Sequence, residues 1–249
     1  MTMGWTVAAG GAIAGLIAGA FLSTLTIRWG RGASVARGRS RCDGCGQPVA
    51  SILLTPLLGY AMTRGRCRAC AAPIDWRHPV LELVCAVIGF LAWVLHPGID
   101  GIAGALFGWL LVTLALLDLD HFWLPDALTL PLAILGLGFG LAGVPPAPFD
   151  HAIGALAGFA SFAAIAWTYR RLRGREGLGQ GDAKLLGAIG AWLGWATLPW
   201  VVIGACALGL LWCLVSLARG RSLDLTDRLP LGTLLALAAW PIWLFGTSL

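Results

Sequence analysis

The chain has 249 residues, of which 58% are hydrophobic and only 12% are charged, and its formal net charge is +5. Soluble domains carry roughly a quarter charged residues, so this composition excludes an ordinary water-soluble globule. The 35 glycines suit a helix bundle in lipid, because small residues let transmembrane helices approach closely. We therefore predict an all-α polytopic membrane protein.

Apolar runs between polar breaks predict about eight transmembrane helices, since each span needs roughly 20 apolar residues. The first run has no basic residue before it and arginines after it, so we interpret it as a retained helix and not as a signal peptide. Three segments are expected: helix 1 within 1–27, a cytoplasmic loop domain at 28–79 and a seven-helix domain at 80–249. The predicted spans are 4–27, 80–96, 101–117, 127–143, 152–169, 183–198, 199–218 and 230–247.

The cations occupy alternate loops of this prediction. With the N-terminus outside, all 16 arginines fall in segments 28–79, 170–182 and 219–229, and Lys184 lies just past the second of these. Cytoplasmic loops of membrane proteins carry an excess of Lys and Arg. The pattern predicts a multi-pass protein of the bacterial inner membrane with a periplasmic N-terminus. The lipid bilayer is its expected surrounding, and no nucleic-acid partner is predicted.

Glycines recur at four-residue spacing within the predicted helices. Gly11, Gly15 and Gly19 share one face of the first helix, and Gly154 and Gly158 share one face of the fifth. Such spacing indicates close helix packing and carries no information about function.

Four cysteines in the first long loop form two C-x-x-C pairs. They are Cys42, Cys45, Cys67 and Cys70, with 21 residues between the pairs. Disulfides are rare in the reducing cytoplasm, whereas four thiolates at this spacing suit tetrahedral Zn²⁺. Free thiols or a redox dithiol are the alternatives. We predict a structural zinc site, which would stabilise a loop that has few large apolar residues.

Two carboxylates lie at predicted helix ends on the cytoplasmic side. Asp118 ends the third predicted span, where the helix dipole disfavours an anion, and Asp182 begins the sixth. Asp182 alone would suit a helix N-cap, and we interpret Asp126 as a cap of the fourth span. Asp120 lies further along the polar turn, although it could be the functional residue instead of Asp118. Ionisable groups in membrane segments are costly and mark functional sites.

A pair of carboxyl groups can share one proton, which is how aspartic peptidases activate water. The ionised partner takes a proton from water, and the protonated partner polarises the scissile carbonyl. Helix-end electrostatics favour Asp182 as the base and Asp118 as the acid. The pair would titrate as one unit, so the assignment of acid and base stays open.

These segments resemble the type IV prepilin peptidases, the leader peptidases of bacterial pili and type II secretion. The resemblance covers nearly the whole chain, including both cysteine pairs. The matching stretches are Gly179-Gln180-Gly181-Asp182, which fits the G-x-G-D signature, Asp118 with Leu124-Pro125-Asp126, Pro79-Val80-Leu81-Glu82-Leu83, and Leu229-Pro230-Leu231-Gly232.

The resemblance implies that Asp118 and Asp182 are the catalytic pair, with Gly179, Gly181 and Lys184 as supporting residues of the motif. It also implies that the substrates are prepilin or pseudopilin precursors with a short basic leader followed by a hydrophobic helix. Cleavage would take place at the cytoplasmic membrane face.

Full-length members of that family also methylate the new N-terminus with S-adenosylmethionine, an activity associated with the cysteine domain. Glu82 could help in methyl transfer or simply pair with an arginine of the loop. The chain departs from the family at Ser23, where the family usually has asparagine. The resemblance therefore leaves methylation open.

Two other classes of protein fit parts of the pattern. A non-catalytic zinc-binding scaffold of pilus or type II secretion assembly would share the cysteine loop, but both motif aspartates argue against it. Proton-coupled transporters also carry intramembrane carboxylates, although these usually lie near the midplane in broken helices. We therefore favour the aspartic peptidase.

Overall fold

The structure is a computed structural model that describes residues 2–30, 32, 41–42, 44–175, 177–220 and 228–246. Parts of the predicted cytoplasmic segments 28–79 and 219–229 lie outside the described residues. The end of the last predicted span, 230–247, lies outside them as well.

The described residues are almost entirely helical, which confirms the all-α fold class. A 3₁₀ turn covers Ser51–Leu54, and the only β structure in this part of the chain is two isolated bridges within the cysteine loop. The α-helices of the described residues are α1 (Thr2–Gly30), α2 (Leu58–Thr63), α3 (Arg77–Leu95), α4 (Ile99–His121), α5 (Asp126–Leu141), α6 (Pro148–Arg173), α7 (Gln180–Leu193), α8 (Leu198–Ala218) and α9 (Leu231–Gly246).

Five of these helices are long and apolar enough to cross a membrane, namely α1, α3, α4, α6 and α8. Two further apolar helices, α5 and α9, have 16 residues each. Each of the eight predicted spans therefore overlaps a helix of the described residues. The number of membrane crossings, about eight, stays a prediction.

The helix that corresponds to the sixth predicted span, 183–198, ends before the apolar run does. Helix α7 stops at Leu193 because Gly194 follows with a φ of 75°, a left-handed conformation that suits glycine. A short turn then leads into α8. Hydrophobicity is continuous across this turn, so the apolar pattern alone misplaced the boundary by five residues.

The chain divides into two compact units, Met1–Trp109 and Leu110–Leu249. In the first unit α1 packs along α3. A Cβ atom added to Gly19 would lie 2.6 Å from the Cα atom of Glu82, so the two backbones are in direct contact there. Gly11 and Gly15 face α3 in the same way, which confirms the predicted packing role of this glycine stripe.

Helix α7 lies at the centre of the second unit. It packs against α5, α6, α8 and α9, and ten of its 14 residues are buried. Its contact with α6 depends on glycine: a Cβ atom added to Gly158 would lie 2.5 Å from the carbonyl oxygen of Leu186, and Gly154 meets Gly190 still more closely. The helix that begins with the G-x-G-D sequence is thereby packed against protein from Leu185 to Leu193.

Candidate active site and metal centre

Asp118 is a buried carboxyl group in the last turn of α4, with only 5% of its surface exposed. Its Oδ2 atom accepts a 2.8 Å hydrogen bond from the backbone N–H of Thr233, and the hydroxyl oxygen of Thr233 lies 3.2 Å from the same atom. The backbone N–H of Gly232 also donates to this carboxyl group. Buried polar groups need such partners, and the first turn of α9 supplies them.

Asp182 occupies the first turn of α7. The N-cap of this helix is Gly179, which makes no side-chain cap, and Asp182 follows it by three residues. The backbone N–H of Gly179 donates to the Asp182 carboxylate, which is the reciprocal half of a capping box. Asp182 therefore stabilises the helix start without being the N-cap itself.

The ends of three helices meet around Asp118 and Asp182, and the two carboxyl groups interact electrostatically. Leu124, in the turn between α4 and α5, is packed between the first turns of α7 and α9. A Cβ atom added to Gly181 would lie 3.0 Å from the Cβ of Leu124, and one added to Gly232 would lie 2.8 Å from its Cδ1. The two motif glycines thus let α7 and α9 close in on the same leucine.

Lys184 and Asp126 form an ion pair beside this site. The Nζ atom of Lys184 lies 2.7 Å and 2.8 Å from the two carboxylate oxygens of Asp126. The prediction that Asp126 caps α5 is wrong: Pro125 is the N-cap, and no side chain caps that helix end. The tertiary ion pair takes the carboxylate away from the local backbone. Asp120, two residues after Asp118, is exposed at the end of α4.

A cleft of about 300 Å³ adjoins the first turn of α7. Its walls are mostly apolar and come from α6, while its rim carries cationic and amide groups. The lining includes Phe159, Ala163, Trp167, Arg170, Gln180 and Lys184.

The four predicted metal ligands come together in the first unit. The Sγ atoms of Cys42, Cys45, Cys67 and Cys70 all lie within 4.8 Å of one another, and those of Cys42 and Cys70 are 3.8 Å apart. Tetrahedral Zn²⁺ with Zn–S bonds of about 2.3 Å requires S···S distances of about 3.8 Å. The cluster therefore has the composition and the spacing for one tetrahedral metal ion.

Two similar turns present these cysteines. In the first, the N–H of Gly46 donates to the carbonyl of Cys42 at 2.8 Å, and in the second the N–H of Ala71 donates to that of Cys67 at 2.9 Å. Gly46 and Ala71 both have left-handed backbones, with φ of 70° and 58°. The described residues of the two turns therefore share this hydrogen bond and a left-handed residue at the same position relative to the cysteines.

The pKa values of Cys67 and Cys70 are shifted in opposite directions within the cluster. Hydrogen bonds from the backbone N–H groups of Cys70 and Ala69 lower the pKa of Cys67 to about 6, whereas hydrogen bonds with the neighbouring thiols raise the pKa of Cys70 to about 12. The four thiols therefore titrate as one unit, and binding a metal ion would displace their remaining protons.

Glu82 lies in α3, within the first unit, and is 7% exposed. Its Oε2 atom accepts a 2.7 Å hydrogen bond from the backbone N–H of Leu57. Among the described residues its partner is thus a backbone amide and not the arginine that the sequence offered as one alternative. Ser23, which replaces the family's asparagine, lies on α1 with its hydroxyl oxygen 2.8 Å from Nδ1 of His78.

Sequence reasoning missed Thr233 and Leu124 as parts of the site. Thr233 directly follows one stretch that matches a family motif, Leu229-Pro230-Leu231-Gly232. Leu124 is the first residue of another, Leu124-Pro125-Asp126. A threonine at the start of an apolar helix was the available signal for Thr233, but its partner is 115 residues away in the chain. No local pattern indicates such a contact.

The fold and the site together define a polytopic α-helical membrane protein with a pair of carboxylates at two helix ends and a cluster of four cysteines that could hold a metal ion. The type IV leader peptidase family matches residues 105–214, and the bacterial peptidase A24 N-terminal domain matches residues 13–96. No solved structure matches this chain.

Several relatives named prepilin leader peptidase/N-methyltransferase match most of the chain. The protein of Aeromonas hydrophila is 41% identical over 85% of this chain and 73% of its own length. That of Burkholderia pseudomallei (strain 1026b) is 41% identical over 84% and 68%, and that of Pseudomonas aeruginosa is 36% identical over 84% and 72%. The chain belongs to the type IV leader peptidase family.

Proposed function

We propose that this protein is an intramembrane aspartic endopeptidase that removes the leader peptide of type IV prepilins and pseudopilins. The observation that carries the proposal is the meeting of the end of α4, which holds the buried Asp118, and the first turn of α7, which holds Asp182, around Leu124 and the start of α9. The names of its relatives, which are peptidases of prepilin leaders, support the choice of substrate.

In the proposed reaction Asp182 and Asp118 act on opposite sides of the peptide bond. The ionised Asp182 takes a proton from water while the water oxygen bonds to the carbonyl carbon, and Asp118 gives its proton to the carbonyl oxygen. When the tetrahedral intermediate collapses, the C–N bond breaks, Asp118 recovers the proton of that oxygen, and the proton held by Asp182 passes to the leaving nitrogen. Both carboxyl groups return to their starting state.

The supporting motif residues would act through helix placement. Gly179 donates its N–H to Asp182, and Gly181 allows α7 to approach Leu124. Lys184 joins the first turn of α7 to that of α5 through Asp126. Each of these contacts fixes the position of Asp182 without taking part in proton transfer.

The proposed membrane orientation places the N-terminus in the periplasm and the carboxylate pair at the cytoplasmic face. The distribution of Lys and Arg along the sequence supports it. Alkaline phosphatase fusions should be active when joined after Leu95 and inactive when joined after Arg173. The reverse result would overturn this orientation.

We also propose that Cys42, Cys45, Cys67 and Cys70 hold one structural Zn²⁺, because four clustered thiolates prefer this ion. Methylation of the new N-terminus with S-adenosylmethionine is the proposed second activity, as the names of the relatives indicate. Glu82 is its candidate residue in this chain, buried against the backbone of the loop.

The test is to incubate the purified protein in detergent with a prepilin, with and without S-adenosylmethionine, and to weigh the product. We expect the loss of a leader-sized mass, and a further methyl-sized gain when the cofactor is present and methylation is retained. An unchanged precursor mass with well-folded protein would leave the non-catalytic scaffold as the better interpretation.

Variants assign the chemistry to the two carboxyl groups. Asp118→Asn and Asp182→Asn should each abolish cleavage, because each removes one proton-transfer group. Asp150→Asn is the matched control. Asp150 lies at the start of α6 and accepts a hydrogen bond from the indole N–H of Trp195, and its replacement should leave cleavage intact. Activity retained in Asp118→Asn but lost in Asp182→Asn would refute a two-aspartate mechanism.

A further inference from the structure

Thr233 contacts Asp118 with both its backbone and its side chain. Its N–H donates to Oδ2 at 2.8 Å, and its hydroxyl oxygen lies 3.2 Å from that same oxygen. The hydroxyl group also donates to the carbonyl oxygen of Ala115 at 2.8 Å, one turn before Asp118 on α4. Thr233 is itself only 8% exposed, so these contacts are shielded from bulk water.

These contacts fix the direction of one carboxyl group. Two of them meet at Oδ2, so rotation of the Asp118 carboxyl about its Cβ–Cγ bond would break the N–H bond and the hydroxyl contact together. The bond to Ala115 prevents the hydroxyl group from following such a rotation, because it ties Thr233 to the backbone of α4. The position of Oδ1 relative to Asp182 is thereby set by a residue of α9.

We propose that Thr233 is a positioning residue of the aspartyl centre, which holds the Asp118 carboxyl group in the orientation needed to act with Asp182. The inference rests on the proposed peptidase function and deepens it. Thr233 need not touch substrate for this role. Its side chain acts on the reaction only through Asp118.

A purely structural role for Thr233 makes a different prediction. If the residue only joins α9 to α4, losing its hydroxyl group lowers stability but leaves each folded molecule fully active. If it orients Asp118, the folded molecules themselves become slower, since displacing a catalytic group by about 1 Å costs on the order of 100-fold in rate. The pH dependence of the rate then changes too, because the lost hydroxyl group contacted the carboxyl group that exchanges protons.

The experiment compares Thr233→Val with Thr233→Ser on a prepilin substrate. Valine keeps the branched shape and the backbone N–H and removes the hydroxyl group, whereas serine keeps the hydroxyl group. Thr26→Val is the matched control, because Thr26 is also buried and its hydroxyl group donates at 2.9 Å to a backbone carbonyl of its own helix, that of Ser23. Melting temperature and size-exclusion profile report the folded fraction of each variant.

We expect Thr233→Val to lower kcat roughly tenfold or more per folded molecule, with KM within about twofold of the wild type. The pH profile of kcat should shift in this variant alone. Thr233→Ser should restore both values to within a few fold, and Thr26→Val should match the wild type.

Two results would overturn the proposal while the wild type still cleaves. One is a Thr233→Val protein with a near-normal kcat and pH profile, and the other is a Thr233→Ser protein as slow as Thr233→Val. A wild type that does not cleave, or an active Asp182→Asn, would instead remove the proposed function on which this inference rests.

Discussion

The ammonium group of Lys184 contacts both carboxylate oxygens of Asp126, at 2.7 Å and 2.8 Å, and so joins the first turn of α7 to the first turn of α5. The two residues are 58 positions apart, and their side chains are 37% and 56% exposed. Lys184 lies two residues beyond Asp182 on α7. Its position favours a role in holding the G-x-G-D turn and not in chemistry.

Reversing one charge of this pair should lower stability and activity, and reversing both charges together should restore them. Lys184→Asp and Asp126→Lys each place like charges together, so each should lower the melting temperature and the cleavage rate, while the double exchange should recover both. The coupling energy should be no more than about 1 kcal/mol, because partly exposed pairs are screened by solvent. A double variant no better than the worse single one would show that the two charges are not coupled.

Gly232 should not tolerate a side chain. A Cβ atom there would lie 3.0 Å from Oδ2 of Asp118 and 2.8 Å from Cδ1 of Leu124. The leucine end can rotate away, but Oδ2 is held by Thr233, so Gly232→Ala should displace the carboxyl group and lower kcat roughly tenfold or more.

The control for this prediction is Gly138→Ala. Gly138 lies in α5, and an added Cβ would meet nothing within 4 Å, so the variant should cleave normally and be slightly more stable through its better helix propensity. Steady-state cleavage of a prepilin measures both variants. Equal activity of Gly232→Ala and wild type would mean that Asp118 need not keep the observed position.

The sequence was sufficient for the helices, the cysteine cluster and the two carboxylates, because each of these leaves a local pattern. Apolar length gives a span, C-x-x-C spacing gives a metal knuckle, and a charge at a helix end is unusual enough to notice. Asp126 was misinterpreted for the complementary reason: its local context suits a cap, but a distant lysine competes for the same oxygens. Thr233 and Leu124 were missed because packing between remote segments decides their roles.

The metal centre can be tested by removing ligands one at a time. Purified protein should contain about one zinc per chain by elemental analysis, and Cys42→Ser or Cys67→Ser should each lose it, because three thiolates hold the ion far less tightly. Cys206→Ser is the control, since Cys206 lies exposed in α8, away from the four-cysteine cluster. Zinc content unchanged in both ligand variants would rule out this site.

Acid should release the same ion. Protons compete with Zn²⁺ for the thiolates, so the bound fraction should fall as pH is lowered and recover when pH is raised again with zinc present. Titration against a chromogenic chelator measures the release. An affinity that rises on acidification would contradict thiolate ligation.

His151 connects α7 to the segment that precedes α6, at the end of the second unit that lies away from Asp182. Its side chain is 1% exposed, Nδ1 lies 2.7 Å from the carbonyl oxygen of Ala191 near the end of α7, and Nε2 lies 3.1 Å from those of Val144 and Pro146. Phenylalanine has a similar shape but no N–H donor, so His151→Phe would remove the hydrogen bond that the ring N–H donates to one of these carbonyl groups. Each unsatisfied group costs about 1–3 kcal/mol, and the melting temperature should fall by several degrees.

Cleavage by His151→Phe below its melting transition should nevertheless stay close to that of the wild type. Ala191 lies nine positions after Asp182, a distance of about 14 Å along the helix, and α7 is packed against α5, α6, α8 and α9. His121→Phe, the same change at an exposed position, should leave the melting temperature nearly unchanged. If His151→Phe instead lost its activity while fully folded, the two ends of α7 would have to be coupled, and the rigid support that we assign to this helix would be wrong.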